Sequence, residues 1–114
     1  MEAKELAQLT AELALSKKAK DVVILNLSGL SDVTNYFVVC TGESDTQVKA
    51  IADAIDDGSR EQGSRVWRRE GMKNLQWVLL DFVDVVVHVF QPRVRDYYDI
   101  ERLWGDAPRT VVAD

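Results

Sequence analysis

The chain has 114 residues, with fourteen Lys and Arg against nineteen Asp and Glu and a formal net charge of -5. That length suits one domain burying roughly two-thirds of its unfolded surface, and 46% apolar with 29% charged residues is an ordinary globular composition. The negative balance excludes bare nucleic acid as the main partner and suits a basic protein surface, while a lone cysteine, Cys40, excludes an internal disulfide or a multi-cysteine zinc site.

Leu6, Leu9 and Leu13 recur at helical spacing with Glu2, Glu5 and Glu12 off the stripe, which predicts a helix over 3–18 closed by Lys17, Lys18 and Lys20. This amphipathic start lacks the apolar core of a signal peptide, so a cytoplasmic protein is expected. Val22–Leu27 is a continuous apolar run, the pattern of a strand covered on both faces, and Tyr36–Thr41 is a second one across the turn Ser28–Asp32. Ser44 with Gln47 three residues later forms a capping box that starts a helix with Val48, Ile51, Ala52 and Ile55 as its apolar stripe. Gly58 lies inside that helix at a cost of about 1 kcal/mol, and Gly63 is its stop.

Arg65–Arg69 is a short strand, basic enough to be an edge. Gln76–Asp81 and Val85–Phe90 form an antiparallel hairpin joined tightly at Phe82-Val83-Asp84. The interruptions at Asp81, Asp84 and His88 rule out a membrane span through this stretch. Pro92 opens a last helix that runs through Trp104 and stops at Gly105, with Pro108 beyond. The order α-β-β-α-β-β-β-α predicts an α/β sandwich with a mixed five-stranded sheet. Residues 1–105 form the expected domain, and 106–114 are expected to be a loose tail.

Little here resembles a reaction centre. Asp81 and Asp84 end strands around a turn and do not converge as two-metal chemistry requires. His88 is the only histidine, without ligand-type neighbours or a nucleophile, since Cys40 lies within an apolar strand. No phosphate-binding glycine loop is present. Arg65, Arg68 and Arg69 with Trp67 form the one basic-aromatic cluster, enough for a minor RNA contact. Trp77, Tyr97, Tyr98 and Trp104 gather late in the chain, the residue types of binding hot spots, divided between core and partner contact.

The segment Asp32-Val33-Thr34-Asn35-Tyr36-Phe37-Val38-Val39-Cys40-Thr41-Gly42, with Ser44 and Gln47 following, resembles the ribosome silencing factor (Iojap-like) family. So do Glu70-Gly71, Trp77–Asp81, Asp84–Phe90, and Arg95, Tyr98 and Glu101–Pro108, so that the likeness runs from about residue 3 to 108. It implies a nucleotidyltransferase-like fold without transferase activity, and no catalytic residue, metal or cofactor. Where a transferase carries an Asp-x-Asp pair, this chain reads Arg65-Val66-Trp67-Arg68-Arg69.

The resemblance further implies docking on the large ribosomal subunit through a basic ribosomal protein of the intersubunit face, the fourteenth in large-subunit numbering. There the family blocks joining of the small subunit and represses translation when nutrients are scarce. A homodimer is implied for the free protein. The alternatives are a large-subunit assembly factor or a metal-dependent transferase using Asp81, Asp84 and His88. Carrying over the family pattern places Trp77 as the partner anchor, with Leu79 and Asp81 on the same strand face, so that Asp81 is an acceptor for a partner cation. Tyr98, Glu101, Trp104 and His88 are candidates on the same logic. At Val83 the family usually has glycine, which puts the geometry of that turn in question.

Overall fold

The protein is described by a computed structural model over residues 1–113. Ten elements follow one another: α1 (Ala3–Ser16), β1 (Lys20–Asn26), β2 (Tyr36–Thr41), α2 (Asp45–Glu61), β3 (Arg68–Glu70), β4 (Trp77–Asp81), β5 (Val85–Phe90), α3 (Pro92–Tyr98), α4 (Ile100–Leu103) and β6 (Arg109–Val111). The strands form one mixed sheet in the order β3-β4-β5-β2-β1-β6. Only β2 and β5 run parallel, Phe37 facing Val86 and Val39 facing His88; the other neighbours are antiparallel.

Strand alternation divides the core in two. Val22, Ile24, Val38, Cys40, Val78, Leu80, Val85, Val87 and Val89 point to one face, where Leu6, Ala7, Ala11 and Ala14 of α1 and Val48, Ile51, Ala52 and Ile55 of α2 cover them. Val23, Leu25, Leu27, Val39 and Phe90 point the other way, against Val94 of α3, Ile100 of α4, and Trp104 and Ala107 beyond it. The unbroken apolar runs of β1 and β2 thus reflect cover on both faces.

Short-range signals place the helices. Ser44 Oγ accepts the Gln47 N–H at 3.1 Å, while Gln47 Oε1 takes the Glu43 N–H at 2.7 Å, one residue before the expected partner. Gln47 Nε2 also donates to the carbonyls of Lys17 and Lys18 and ties the start of α2 to the end of α1. Gly58 earns its place in mid-helix: a Cβ there would lie 2.5 Å from Leu13 Cδ2, so the bare backbone lets α1 and α2 approach. The helix continues past it through Glu61, and Gly63 at φ +90° turns the chain away.

Several expectations are corrected. The sheet has six strands among the described residues, not five, and the sixth lies in the stretch expected to be a loose tail. β6 pairs along β1, and bonds from Asn26 N to Pro108 O and from Val112 N to Val22 O extend the ladder at both ends. Asp114, the last residue of the expected tail, lies outside the described residues. The edge strand is shorter and later than 65–69, because regular pairing with β4 begins only at Arg68. The last helix is broken at Asp99, whose left-handed backbone (φ 46°, ψ 50°) separates α3 from α4. α1 ends at Ser16, short of the lysines, and Lys18 takes a positive φ of 63°. No helix is long and apolar enough to cross a membrane among the described residues.

A candidate docking face on the uncovered side of the sheet

α3 and α4 are short and cover one face of the sheet only in part. Phe37, Trp77, Leu79, Asp81 and Val86 project from β2, β4 and β5 on that face, and each keeps some exposure, in contrast to the sealed face under α1 and α2. Tyr98 (54% exposed) and Trp104 border this platform from the helical side. Trp77 packs against two aromatic neighbours: its ring lies 4.8 Å from that of Phe90 and 4.8 Å from that of Tyr98. Trp104 meets Phe37 edge-on at 6.1 Å. The loop before β4 fixes where Trp77 starts. Gly71, at φ +86°, passes so close that a Cβ would lie 1.9 Å from the Trp77 carbonyl oxygen, so only glycine fits.

His88 sits beneath this surface and not on it. It is 4% exposed, its Nδ1 accepts the Trp77 Nε1–H at 3.1 Å, and its ring meets Phe37 at 4.5 Å. Burial pushes its pKa down to about 4, so the imidazole is neutral at pH 7. No partner can reach it, and the expectation of direct contact by His88 gives way to an internal position. Burial likewise pushes the Cys40 thiol up to about 12, which leaves it an inert core residue.

The two acidic candidates are engaged within the chain. Asp81 Oδ1 accepts the Val83 N–H at 2.7 Å across the hairpin turn, and Oδ2 lies 3.7 Å from Arg68 Nη2. Glu101 receives Arg95 Nε on one oxygen at 2.8 Å and Arg109 Nη1 on the other at 2.7 Å. Arg95 also donates to Thr41 Oγ1 and to the Asp21 carbonyl, so one guanidinium joins α3, α4 and the ends of β1 and β2. Burial alone would raise the Glu101 carboxyl, but the hydrogen bonds and charges of Arg95 and Arg109 together outweigh it and hold the group below its ordinary value. This clasp seats the helical edge that carries Tyr98 and Trp104.

The basic cluster near β3 is largely neutralised. Arg69 and Arg60 both pair with Asp56, at 2.8 and 3.0 Å, and Arg68 faces Asp81 while its guanidinium lies 5.3 Å from the ring of Trp67. Among the described residues no group of three or more His, Cys, Asp or Glu side chains could hold a metal ion. The structure therefore gathers Trp77, Tyr98 and Trp104 at one surface, with His88 behind them, and puts Asp81 and Glu101 at its margins in internal bonds. Phe37 and Val86 join the surface although sequence reasoning did not single them out as contacts, and Leu79 lies beside Trp77 on it as strand alternation predicts. Alternation alone would have aligned Val86 with His88 and Phe90; bringing Phe37 beside them required the parallel pairing of β2 with β5.

Comparison with known proteins agrees over the full chain. The family described as "Ribosomal silencing factor during starvation" matches residues 1–114. The chain is 45% identical over 108 residues to the ribosomal silencing factor RsfS of Bacillus subtilis, covering 95% of this chain and 92% of that one. It is 37% identical over 97 residues to the chloroplastic protein Iojap of Zea mays, covering 85% of this chain and 42% of that longer one. A crystal structure of a protein from Chromobacterium violaceum superposes with a TM-score of 0.90 at 40% identity, over 100% of this chain and 95% of the other. A second, from Bacillus halodurans, gives 0.83 at 42% identity, over 96% and 99%. On this match of sequence and architecture together, the chain belongs to the ribosomal silencing factor family.

Proposed function

We propose that the protein represses translation by occlusion: it binds the large ribosomal subunit and covers a surface the small subunit would use, with no chemical turnover. The observation that carries this is the partly uncovered sheet face of Trp77, Leu79, Phe37 and Val86, bordered by Tyr98 and Trp104, on a chain of net charge -5. An apolar-aromatic centre supplies affinity once desolvated, and the net negative charge of the chain favours a basic partner. A basic ribosomal protein of the intersubunit face, the fourteenth in large-subunit numbering, meets that description. Contact with rRNA is minor, because Arg68 and Arg69 of the basic cluster already face Asp81 and Asp56.

The same proposal takes the fold as a nucleotidyltransferase-like sandwich that has lost its metal site, with arginines on the edge strand where a transferase holds carboxylates. It places the protein in the cytoplasm, as a homodimer when free. The test is co-sedimentation with purified large subunits, with and without small subunits. Wild type is expected in the large-subunit fraction and is displaced by excess small subunits. Trp77→Ala is expected to keep the native circular-dichroism spectrum and to weaken binding by at least about 2 kcal/mol, the scale of an interface anchor. Undiminished binding by a folded Trp77→Ala would remove the face from the mechanism.

A further inference from the structure

His88 lies out of any partner's reach, yet the pose of Trp77 depends on it. The bond from Trp77 Nε1 to His88 Nδ1 spans the neighbouring strands β4 and β5 at 3.1 Å. An indole has one donor and no acceptor, so this bond takes up the whole hydrogen-bonding capacity of Trp77. Accepting at Nδ1 leaves the proton of the neutral imidazole on Nε2, which is buried and has no hydrogen-bond partner among the described residues. The Trp77 bond is thus the only side-chain hydrogen bond His88 has there, while aromatic contacts with Phe37 and Phe90 pack its ring.

We infer that His88 is a positioning residue: it turns the single donor of Trp77 inward, so that the indole offers a partner apolar carbon surface alone, suited to the stem of a lysine or arginine. This inference rests on the proposed docking of the Trp77 face. A partner anchoring through a carbonyl or carboxylate would have to break the internal bond and strand a buried Nδ1, whereas a lysine or arginine stem packed on the partly exposed carbon atoms of the indole leaves that bond intact. A side chain already held in its bound pose also loses less freedom on association.

The test uses the full chain. In proton–nitrogen spectra the three indole signals are assigned by single Trp→Phe replacements. The Trp77 signal is expected to resist exchange with water, to shift in His88→Phe, and to return towards its wild-type position in His88→Asn, whose side-chain oxygen can accept the same bond. Binding to large subunits is expected to weaken about tenfold in His88→Phe and to stay within threefold of wild type in His88→Asn. A folded His88→Phe that binds within twofold of wild type overturns the inference. So does a wild-type Trp77 indole that exchanges as freely as that of Trp67, a result that needs no His88 variant to fold. If wild type fails to bind large subunits at all, the docking proposal and the partner chemistry drawn from it both fall, while the spectra alone decide whether His88 holds Trp77.

Discussion

Val83 occupies a backbone conformation that suits it poorly. Its φ is +78° at the first central residue of the two-residue β4–β5 turn, and φ is not positive at Asp84, a pattern that favours glycine at the first position. Left-handed backbone costs an L-residue about 1–2 kcal/mol, and a glycine loses about 0.5–1 kcal/mol more backbone entropy on folding. Val83 is half exposed and gives up little burial, so Val83→Gly is expected to stabilise the protein by about 0.5–1 kcal/mol, read as a higher urea midpoint. His88 gives a second measurable signature. Unfolding returns its imidazole from about 4 to its ordinary 6.5, so between these values the unfolded chain binds a proton that the folded chain refuses. The stability due to neutral His88 is complete above pH 6.5 and falls by up to about 3 kcal/mol as pH drops to 4. In His88→Asn the pH dependence across that window should be flatter by about this amount; parallel curves in urea titrations would show that His88 does not titrate with folding.

At the scale of elements, α3, α4 and β6 are held on the sheet by limited apolar packing together with a few polar bonds. Neither α3 nor α4 has a fully buried residue, and β6 is exposed throughout. The bond between Arg95 and Glu101 is the most enclosed of these, with side chains 11% and 15% exposed. Removing one member of such a pair leaves the other desolvated and unmatched, a loss of about 3–5 kcal/mol in a fully dry site. With Arg109 half exposed and water close by, Glu101→Gln is expected to lose about 2 kcal/mol. The loss should be local. Hydrogen exchange is expected to quicken in α3, α4 and β6, leaving α1 and α2 as protected as before. Uniform acceleration across the chain would mean that the clasp supports the whole core.

For the whole molecule, occlusion without turnover sets a stoichiometry. About one copy per large subunit should suffice to block joining, and added small subunits should raise the concentration required, by mass action. Chelators and nucleotides should change nothing. Raising salt should slow association, since the net negative charge of the chain steers encounter, and should alter dissociation far less, since the proposed aromatic anchors govern release. Progressive inactivation of a subunit pool by a substoichiometric amount would sink occlusion and point to an enzyme.

Much of this was already present in the linear chain, for a physical reason. Helix stripes, the Ser44 cap, the buried runs of β1 and β2 and the face shared by Trp77, Leu79 and Asp81 all depend on spacings of two to four residues. Such spacings are set by backbone geometry wherever the segment ends up. The family pattern could be read for a similar reason: it is written in contiguous stretches such as Asp84–Phe90 and Glu101–Pro108. What only the tertiary structure decided involves partners far apart in sequence. Arg109–Val111 has too few residues to announce a strand and becomes one because β1 offers an open edge at that register. Asp99 breaks the last helix, and the clasp of Arg95, Glu101 and Arg109 holds the two pieces against the sheet. Phe37 reaches the candidate docking face through the parallel pairing of strands more than forty residues apart. Trp77 and His88 bond only because β4 and β5 align, and burial, a property of the assembled fold, leaves the one partly exposed on the candidate face and the other hidden beneath it.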